Sequence, residues 1–440
     1  MDDCTTNNIT NKNQCSLNVN NKIESITIMF NMFFNICKYI FDWILENVII
    51  LTLAVIFCFI VYVIYKCYFN PVILKRELSE IGFEHIEKGP DRQRRIARVQ
   101  AARRLGSKIP PPFPNGWFAI AESRHLKKGD VLAVDALGEN LCVYRGEDGV
   151  ARCVDAYCPH LGAHLAVGGT VCGNCIECPF HKWRFDANGA CVSVPGLEHA
   201  PKGVSVKTWH TVEADGAVWV WHDAENRDPI WMVKDAEELK GWKLRGRNEF
   251  YVSAHVQEIP ENGADVAHLN AVHSPSLLSD FGEKYPILCD IIVAPSWGGL
   301  SPAVDCKWLT SNIKLSHHYK ILKCELLHLN VNITQIGPGH VRLLIHSPLG
   351  PVLVVQSVTP LGPLLQKVVH RMYSPAYNAL FGAFMVFSEA AMVRSNSTYI
   401  NAPAYVKADK TIRGFRTWFS QFYSENSKTF KDAMQNPLDW

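Results

Sequence analysis

The sequence predicts an α+β protein: an N-terminal transmembrane helix, a small antiparallel β domain, and a larger α+β domain with antiparallel sheet. Three observations predict it. Val48 to Tyr65 is an uncharged apolar run of eighteen residues. From Trp117 to Trp221, short strand-like segments such as VLAVDALG and AVWVWHD alternate with Gly-rich turns. Beyond Cys306, longer apolar or alternating runs (HLNVNITQIG, VRLLIHS, VLVVQSVTP) accompany helix-like segments near 261–273 and 378–396. A chain of 440 residues, 48% apolar, can fill more than one core. A net charge of +2 gives no field that would gather nucleic acid. Fifteen cysteines scattered over this length do not resemble a secreted disulfide framework.

Residues 1–46 read as a polar to interfacial segment. Residues 1–22 hold seven Asn and little that could pack, so a disordered tail is expected. Its Asn8-Ile9-Thr10 sequon is a glycosylation acceptor if the tail is lumenal. Ile28 to Leu45 is hydrophobic but interrupted by Asn31, Asn35, Lys38 and Asp42, which predicts an interfacial location at most. Residues 47–66 are the transmembrane helix, since about 20 apolar residues cross about 30 Å of hydrocarbon. No small-residue cleavage site follows, so it does not read as a signal peptide. Lys66, Lys75 and Arg76 follow the run whereas Asp42 and Glu46 precede it, which puts the C-terminal bulk in the cytosol.

Residues 67–114 read as a basic, Pro-rich linker. Arg92, Arg94, Arg95, Arg98, Arg103 and Arg104 form either a solvated charged face or a contact with anionic headgroups, at about 1 kcal/mol per basic residue. Pro110, Pro111, Pro112 and Pro114 then break the helix and mark a domain boundary.

Within the small β domain, residues 115–225, lies CPHLGAHLAVGGTVCGNCIECPFH. It contains Cys-x-His, seventeen residues, then Cys-x2-His. Two Cys and two His in paired clusters suit a [2Fe–2S] centre of Rieske type, with Cys158 and Cys178 on one iron and His160 and His181 on the other. Replacing two thiolates by neutral imidazoles raises the potential to roughly −150 to +300 mV, so the centre can accept an electron and pass it on. Zinc is the competing reading, because Cys172, Cys175 and Cys178 form Cys-x2-Cys-x2-Cys. Zinc ribbons place two Cys-x2-Cys knuckles well apart, and here the first cluster is Cys-x-His. Cys172 and Cys175 read as loop thiols.

The larger domain, residues 226–440, opens with ENGADVAHLNAVH, which fits Glu/Asp-x3-Asp-x2-His-x4-His through Glu261, Asp265, His268 and His273. If helical, Asp265 and His268 share a face, whereas His273 lies about 140° round, so both imidazoles converge only at a distortion or helix end. Two His and a carboxylate with open positions form the ligand set of non-haem Fe(II) oxygenases. Alone, two His at this spacing are as readily structural.

Together these motifs resemble the catalytic subunit of Rieske non-haem iron oxygenases over roughly residues 115–440. With the anchor, the linker and the C-terminal VKADKTIRGFRTWFSQFYSENS, the layout is most similar to the Neverland family of cholesterol 7-desaturases. The resemblance implies a [2Fe–2S] cluster, mononuclear Fe(II) held by His268 and His273, and an Asp265 that bridges electron transfer from a Rieske His to an iron-bound His. Respiratory Rieske proteins carry an extra Cys after each ligand pair; Ala163 and Phe180 stand there, as in a low-potential oxygenase cluster. The family expects a third, carboxylate iron ligand on a later helix. In NALFGAFMVFSEAAMVRSN the only acid is Glu389, while an ungapped reading back from Pro403 puts Ala390 at the family position. Within that apolar run an isolated carboxylate costs several kcal/mol unless a metal, Arg394 or water compensates it. The run is too short to span a membrane.

The resemblance further implies O2 and NAD(P)H as co-substrates, with electrons delivered by a separate reductase; no convincing nucleotide-binding Gly motif is seen, and Gly168-Gly169 lies inside the cluster segment. It implies a sterol substrate desaturated at the 7,8 position for steroid production, a head-to-tail homotrimer, and a single-pass location in the endoplasmic reticulum. The apolar strands after Cys306 are candidates for the substrate pocket, and equally for ordinary sheet core. Another lipid hydroxylase and a non-catalytic electron carrier are the competing functions.

Overall fold

The computed structural model describes residues 7–83, 85–103, 109–265, 267–268, 296–299, 305–306, 308–321, 324–392, 399–400 and 402–435. The chain divides into two compact units, Met1–Lys66 and Cys67–Trp440.

The first unit is helical, with α1 over Asn7–Glu46 and most of α2, Val48–Phe69. Residues 7–22 are the first turns of α1 rather than a disordered tail. No Gly or Pro precedes Pro71, so nothing interrupts the i to i−4 ladder. Asn47 alone separates the helices, and the ladder continues through it: its N–H donates to Trp43 O (3.1 Å) and its carbonyl accepts from Leu51 N–H (2.8 Å). Val48–Phe69 and also Ser25–Glu46 are long and apolar enough to cross a bilayer. The polar interruptions at 31, 35, 38 and 42 do not remove the second segment from that class.

In the second unit, the stretch expected as a linker is folded. Strand β1 (Val72–Arg76) joins the largest sheet, and α3 (Arg92–Arg103) packs Ile96 on Phe83 and Ile86. The Arg92 guanidinium donates to the carbonyls of Ser79 (2.7 Å), Phe83 (3.3 Å) and Ile86 (3.3 Å).

The small β domain follows with β2 (Gly116–Glu122), β3 (Val131–Ala136), β4 (Glu139–Arg145), β5 (Ala151–Asp155), β6 (Thr170–Cys172), β7 (Cys175–Glu177), β8 (Arg184–Phe185), β9 (Cys191–Ser193), β10 (Thr208–Trp209), β11 (Thr211–Ala214) and β12 (Ala217–His222). They form three antiparallel sheets, ordered β10-β5-β4-β3, β11-β12-β2 and β6-β7-β8-β9.

The larger domain contains β13 (Lys243–Val252), α4 (Glu258–Glu261), β14 (Ser296–Gly299), β15 (Asp305–Cys306), β16 (Thr310–Ile321), β17 (Cys324–Ile336), β18 (His340–His346), β19 (Val352–Gly362), β20 (Leu365–Ser374), α5 (Ala379–Met392), α6 (Lys410–Phe419) and α7 (Phe430–Gln435). Its sheet runs β1-β13-β20-β19-β18-β17-β16-β14, with β15 also on β16; among the described residues only β1 and β13 pair in parallel. One face is a continuous apolar layer of Leu315, Val331, Ile333, Val354, Val368 and Phe250, packed with residues of α5 and α6. Alternate residues reach that face because the strand period is two. Gly246 and Gly382 let α5 lie close: a Cβ on Gly246 would strike Val386 and the Val72 carbonyl, and one on Gly382 would meet the Arg245 stem and Ser374 Oγ.

Buried charges join the two domains. Glu122 of β2 takes a bidentate contact from Arg371 of β20 (2.7 and 3.0 Å) and another from Arg247 Nε (3.1 Å). Burial acts to raise the Glu122 carboxyl, but the two guanidinia outweigh it and hold it below the usual range. Asp215, at φ +53° in the β11–β12 turn, accepts from His340 Nε2 (3.0 Å), Arg342 Nε (2.8 Å) and Ala236 N–H (2.8 Å).

Candidate metal centres

Two loops of the small domain, between β5 and β6 and between β7 and β8, are built alike. In the first, Cys158 N–H donates to Ala163 O (2.9 Å), and Gly162 N–H returns to Cys158 O (2.9 Å). In the second, Cys178 N–H donates to Trp183 O (2.8 Å), and Lys182 N–H returns to Cys178 O (3.1 Å). The residue four beyond each Cys is left-handed, Gly162 at φ +71° and Lys182 at φ +58°. Each turn therefore reverses the chain directly after its Cys.

The tips bring the predicted side chains together. The Cys158 and Cys178 thiols are neighbours and both are buried. Burial chiefly, then the neighbouring Cys178, pushes the Cys158 thiol up to about 11. Buried thiols so placed favour a cationic metal that takes them as thiolates. The His160 and His181 rings lie 4.7 Å apart at 78°, and His160 stacks on Trp183 (4.2 Å, 10°). Buried His160 Nδ1 has no hydrogen-bond partner among the described residues, as suits a nitrogen reserved for a metal. The thiols sit inside, and His181 is exposed at the tip beside Phe180. This donor set fits a [2Fe–2S] cluster.

Cys172 and Cys175 face each other across the β6–β7 hairpin, where Cys172 Sγ contacts Glu177 Oε2 (3.4 Å). The thiol that Cys178 meets is Cys158, which favours the cluster over zinc.

In the larger domain α4 continues as a 3-10 turn, Asn262–Ala264, leading to Asp265. Asp265 Oδ1 accepts His268 N–H (2.9 Å), the bond of an N-cap three residues before the residue it serves. The Asp thus orients the backbone that carries the first His. His273 lies outside the described residues. Glu389 is in the last turn of α5, where the backbone is described and its side chain is not. Of the proposed iron site, Asp265 and His268 are the pair the structure brings together.

A brace beside this site has no counterpart in the sequence reading. Arg416 of α6 binds both oxygens of Glu261 (2.8 and 2.8 Å), donates to Ile400 O (2.7 Å) and lies 4.9 Å from the Tyr399 ring. Glu261 also accepts from Gln257 Nε2 (3.2 Å). Glu261 is the first position of the Asp-His motif, which was its only signal; Arg416 stands 155 residues away and had none. His255 is also fully buried, with Nε2 3.2 Å from Pro111 O, and burial brings its imidazole down to about 4.

Residues 116–210 match the Rieske [2Fe-2S] domain family, and residues 220–287 match the 3-ketosteroid 9α-hydroxylase C-terminal domain family. The chain is 61% identical over 409 residues to cholesterol 7-desaturase nvd of Bombyx mori, covering 92% of this chain and 90% of that one. It is 38% identical over 394 residues to cholesterol 7-desaturase nvd of Xenopus laevis, covering 84% of each. Among solved structures, dicamba monooxygenase bound to 3,6-dichlorosalicylic acid is similar in fold, at TM-score 0.53 and 16% identity, over 70% of this chain and 96% of that one. With these identities over nearly its whole length, and with paired Cys-His loops ahead of an Asp-capped His, the chain belongs to the Neverland family of Rieske oxygenases, the cholesterol 7-desaturases.

Proposed function

We propose that this protein desaturates cholesterol at the 7,8 position, giving 7-dehydrocholesterol. The observation that carries the reading is the convergence of Cys158 with Cys178 and His160 with His181, in a chain so similar to a silkworm cholesterol 7-desaturase. The reaction consumes O2, two electrons and two protons; the sterol loses two hydrogens and two waters form. A cluster and a mononuclear iron, when bound, supply electron transfer and O2 activation.

The protein's own groups do the rest. Cys158 and Cys178 would hold the cluster from the buried side, and His160 and His181 from the more exposed side, within reach of a redox partner. His268 and His273 hold the iron, with Glu389 as third ligand. Asp265, which caps the His268 turn, would carry the electron between the two centres. The apolar sheet face excludes water from the sterol, and the cross-strand row Asn248, His370 and Gln356 is its polar interruption. An NAD(P)H-linked reductase and a head-to-tail homotrimer complete the electron path. The helix ladder that runs through Asn47 without reversal supports a single pass, which we assign to the endoplasmic reticulum.

The test is mass spectrometry of 7-dehydrocholesterol in cells expressing the chain and fed cholesterol. Wild type forms product and Glu389→Ala does not. Asp265→Asn retains both metal centres, because Asn caps as well as Asp, yet turns over far more slowly without the charge. Absence of wild-type product, despite a cluster visible by electron paramagnetic resonance and a competent reductase, overturns the reading.

A further inference from the structure

α5 has an apolar surface that the fold does not use. Pro375 to Ser388 contains no charged residue. Phe381, Ala383, Met385 and Val386 are buried inward, whereas Leu380, Phe384 and Phe387 are 50%, 56% and 51% exposed. Tyr377, one turn before Leu380 and 76% exposed, extends this row at spacings of three and four. Leu349, 56% exposed in the β18–β19 turn, adds to it, since its neighbour Gly350 lies against Tyr377. Five large apolar groups in one patch call for a covering partner.

The position of α5 says which. β1 lies under α5, and only Asn70 and Pro71 separate β1 from the end of the apolar α2. The last turn of α2 is held there: Tyr68 O accepts from Arg245 Nη1 (3.3 Å), and the Tyr68 ring lies 5.7 Å from that guanidinium and 5.8 Å from Lys243 Nζ. The same Arg245 stem is what a Cβ on Gly382 of α5 would touch. One side chain therefore links the end of the apolar anchor to α5. Lys75 and Lys243 at this end suit anionic headgroups.

We infer that the outer face of α5 is a membrane-inserted surface. Leu349, Tyr377, Leu380, Phe384 and Phe387 lie at the acyl-chain boundary of the bilayer in which α2 is anchored, as an interfacial helix too short to span. On the desaturase reading, the helix that carries Glu389 then borders the phase in which the sterol is dissolved; the membrane contact itself stands without that reading.

The experiment uses the full chain in phosphatidylcholine proteoliposomes containing a lipid with a photoactivatable diazirine on its acyl chain, and maps adducts by peptide mass spectrometry. Adducts are expected on residues 377–387 as well as on α2, which serves as internal standard. The double variant Leu380→Glu/Phe384→Glu loses the α5 adducts at least tenfold while those on α2 persist; an intact cluster spectrum and an unchanged tryptophan-fluorescence melting transition show that both domains fold, and Tyr377→Arg serves as a second, milder variant. Labelled α2 with unlabelled α5, or α5 recovered cross-linked to a second copy or another protein, overturns the proposal. No outcome depends on turnover, so failure here is distinct from failure of the desaturase assignment.

Discussion

Gly169 shows how little room the cluster segment leaves. A Cβ there would fall on the carbonyl of Leu165 and come within 3.0 Å of Glu177 O, both backbone atoms that a rotamer change does not move. Gly169→Ala is expected to abolish the [2Fe–2S] electron paramagnetic resonance signal and lower iron by two atoms per chain; a normal signal would show that the loops tolerate the displacement. The role of this glycine was half visible in sequence, where the Gly168-Gly169 pair belongs to the cluster segment and not to a nucleotide loop. The cluster candidates stood out because their chemistry is written in local spacing, and the structure brings their side chains together. Asp215 was not: it is one acid in a turn, and its partners His340 and Arg342 are 125 and 127 residues away. Only the assembled domains make it a buried junction.

At the scale of elements, α6 bears on the proposed iron site through α4. The Arg416–Glu261 pair is mostly shielded, with side-chain exposures of 17% and 14%, so its removal costs roughly 1–3 kcal/mol locally. Arg416→Ala is expected to reduce iron from three to two atoms per chain while leaving the cluster signal intact. Arg416→Lys restores little, because an ammonium does not reproduce the bidentate fork. Equal loss of iron from both centres would instead indicate general unfolding. α6 could be suspected from the sequence as an amphipathic helix, but which acid it would meet depends on tertiary placement. α1 is the opposite case: its Asn-rich composition suggested disorder, whereas a stretch without Gly or Pro leaves the helix uninterrupted.

The whole molecule carries an acid-sensitive set of histidines. Burial brings His222, His255 and His317 down to about 4 each. The folded state resists protons that the unfolded chain accepts below about pH 6.5. Stability is therefore complete above that value and falls as pH drops from about 6.5 to 4. For the deeply buried His255 and His317 the loss is about 3 kcal/mol each. Tm by tryptophan fluorescence should decline between pH 7 and 5, and less steeply in His255→Gln. A flat profile would mean that these rings are protonated or hydrated in the fold. The carboxylates Glu122 and Asp215, held low, withdraw their contribution only below about pH 4. The fold class was legible from hydrophobic patterning, since strand period and helix length are local properties. The inclusion of β1 in the large sheet was not, because one parallel pairing over a long separation leaves no mark in composition.

That pairing has a consequence in time. Val72 lies opposite Gly246, so 174 residues of synthesis separate the two partners. At about 5–20 residues per second, β1 leaves the ribosome some 9–35 seconds before β13 exists. Throughout that interval the nascent chain has an apolar strand edge beside the anchor with nothing to pair it. Membrane insertion of α2 therefore precedes completion of the sheet.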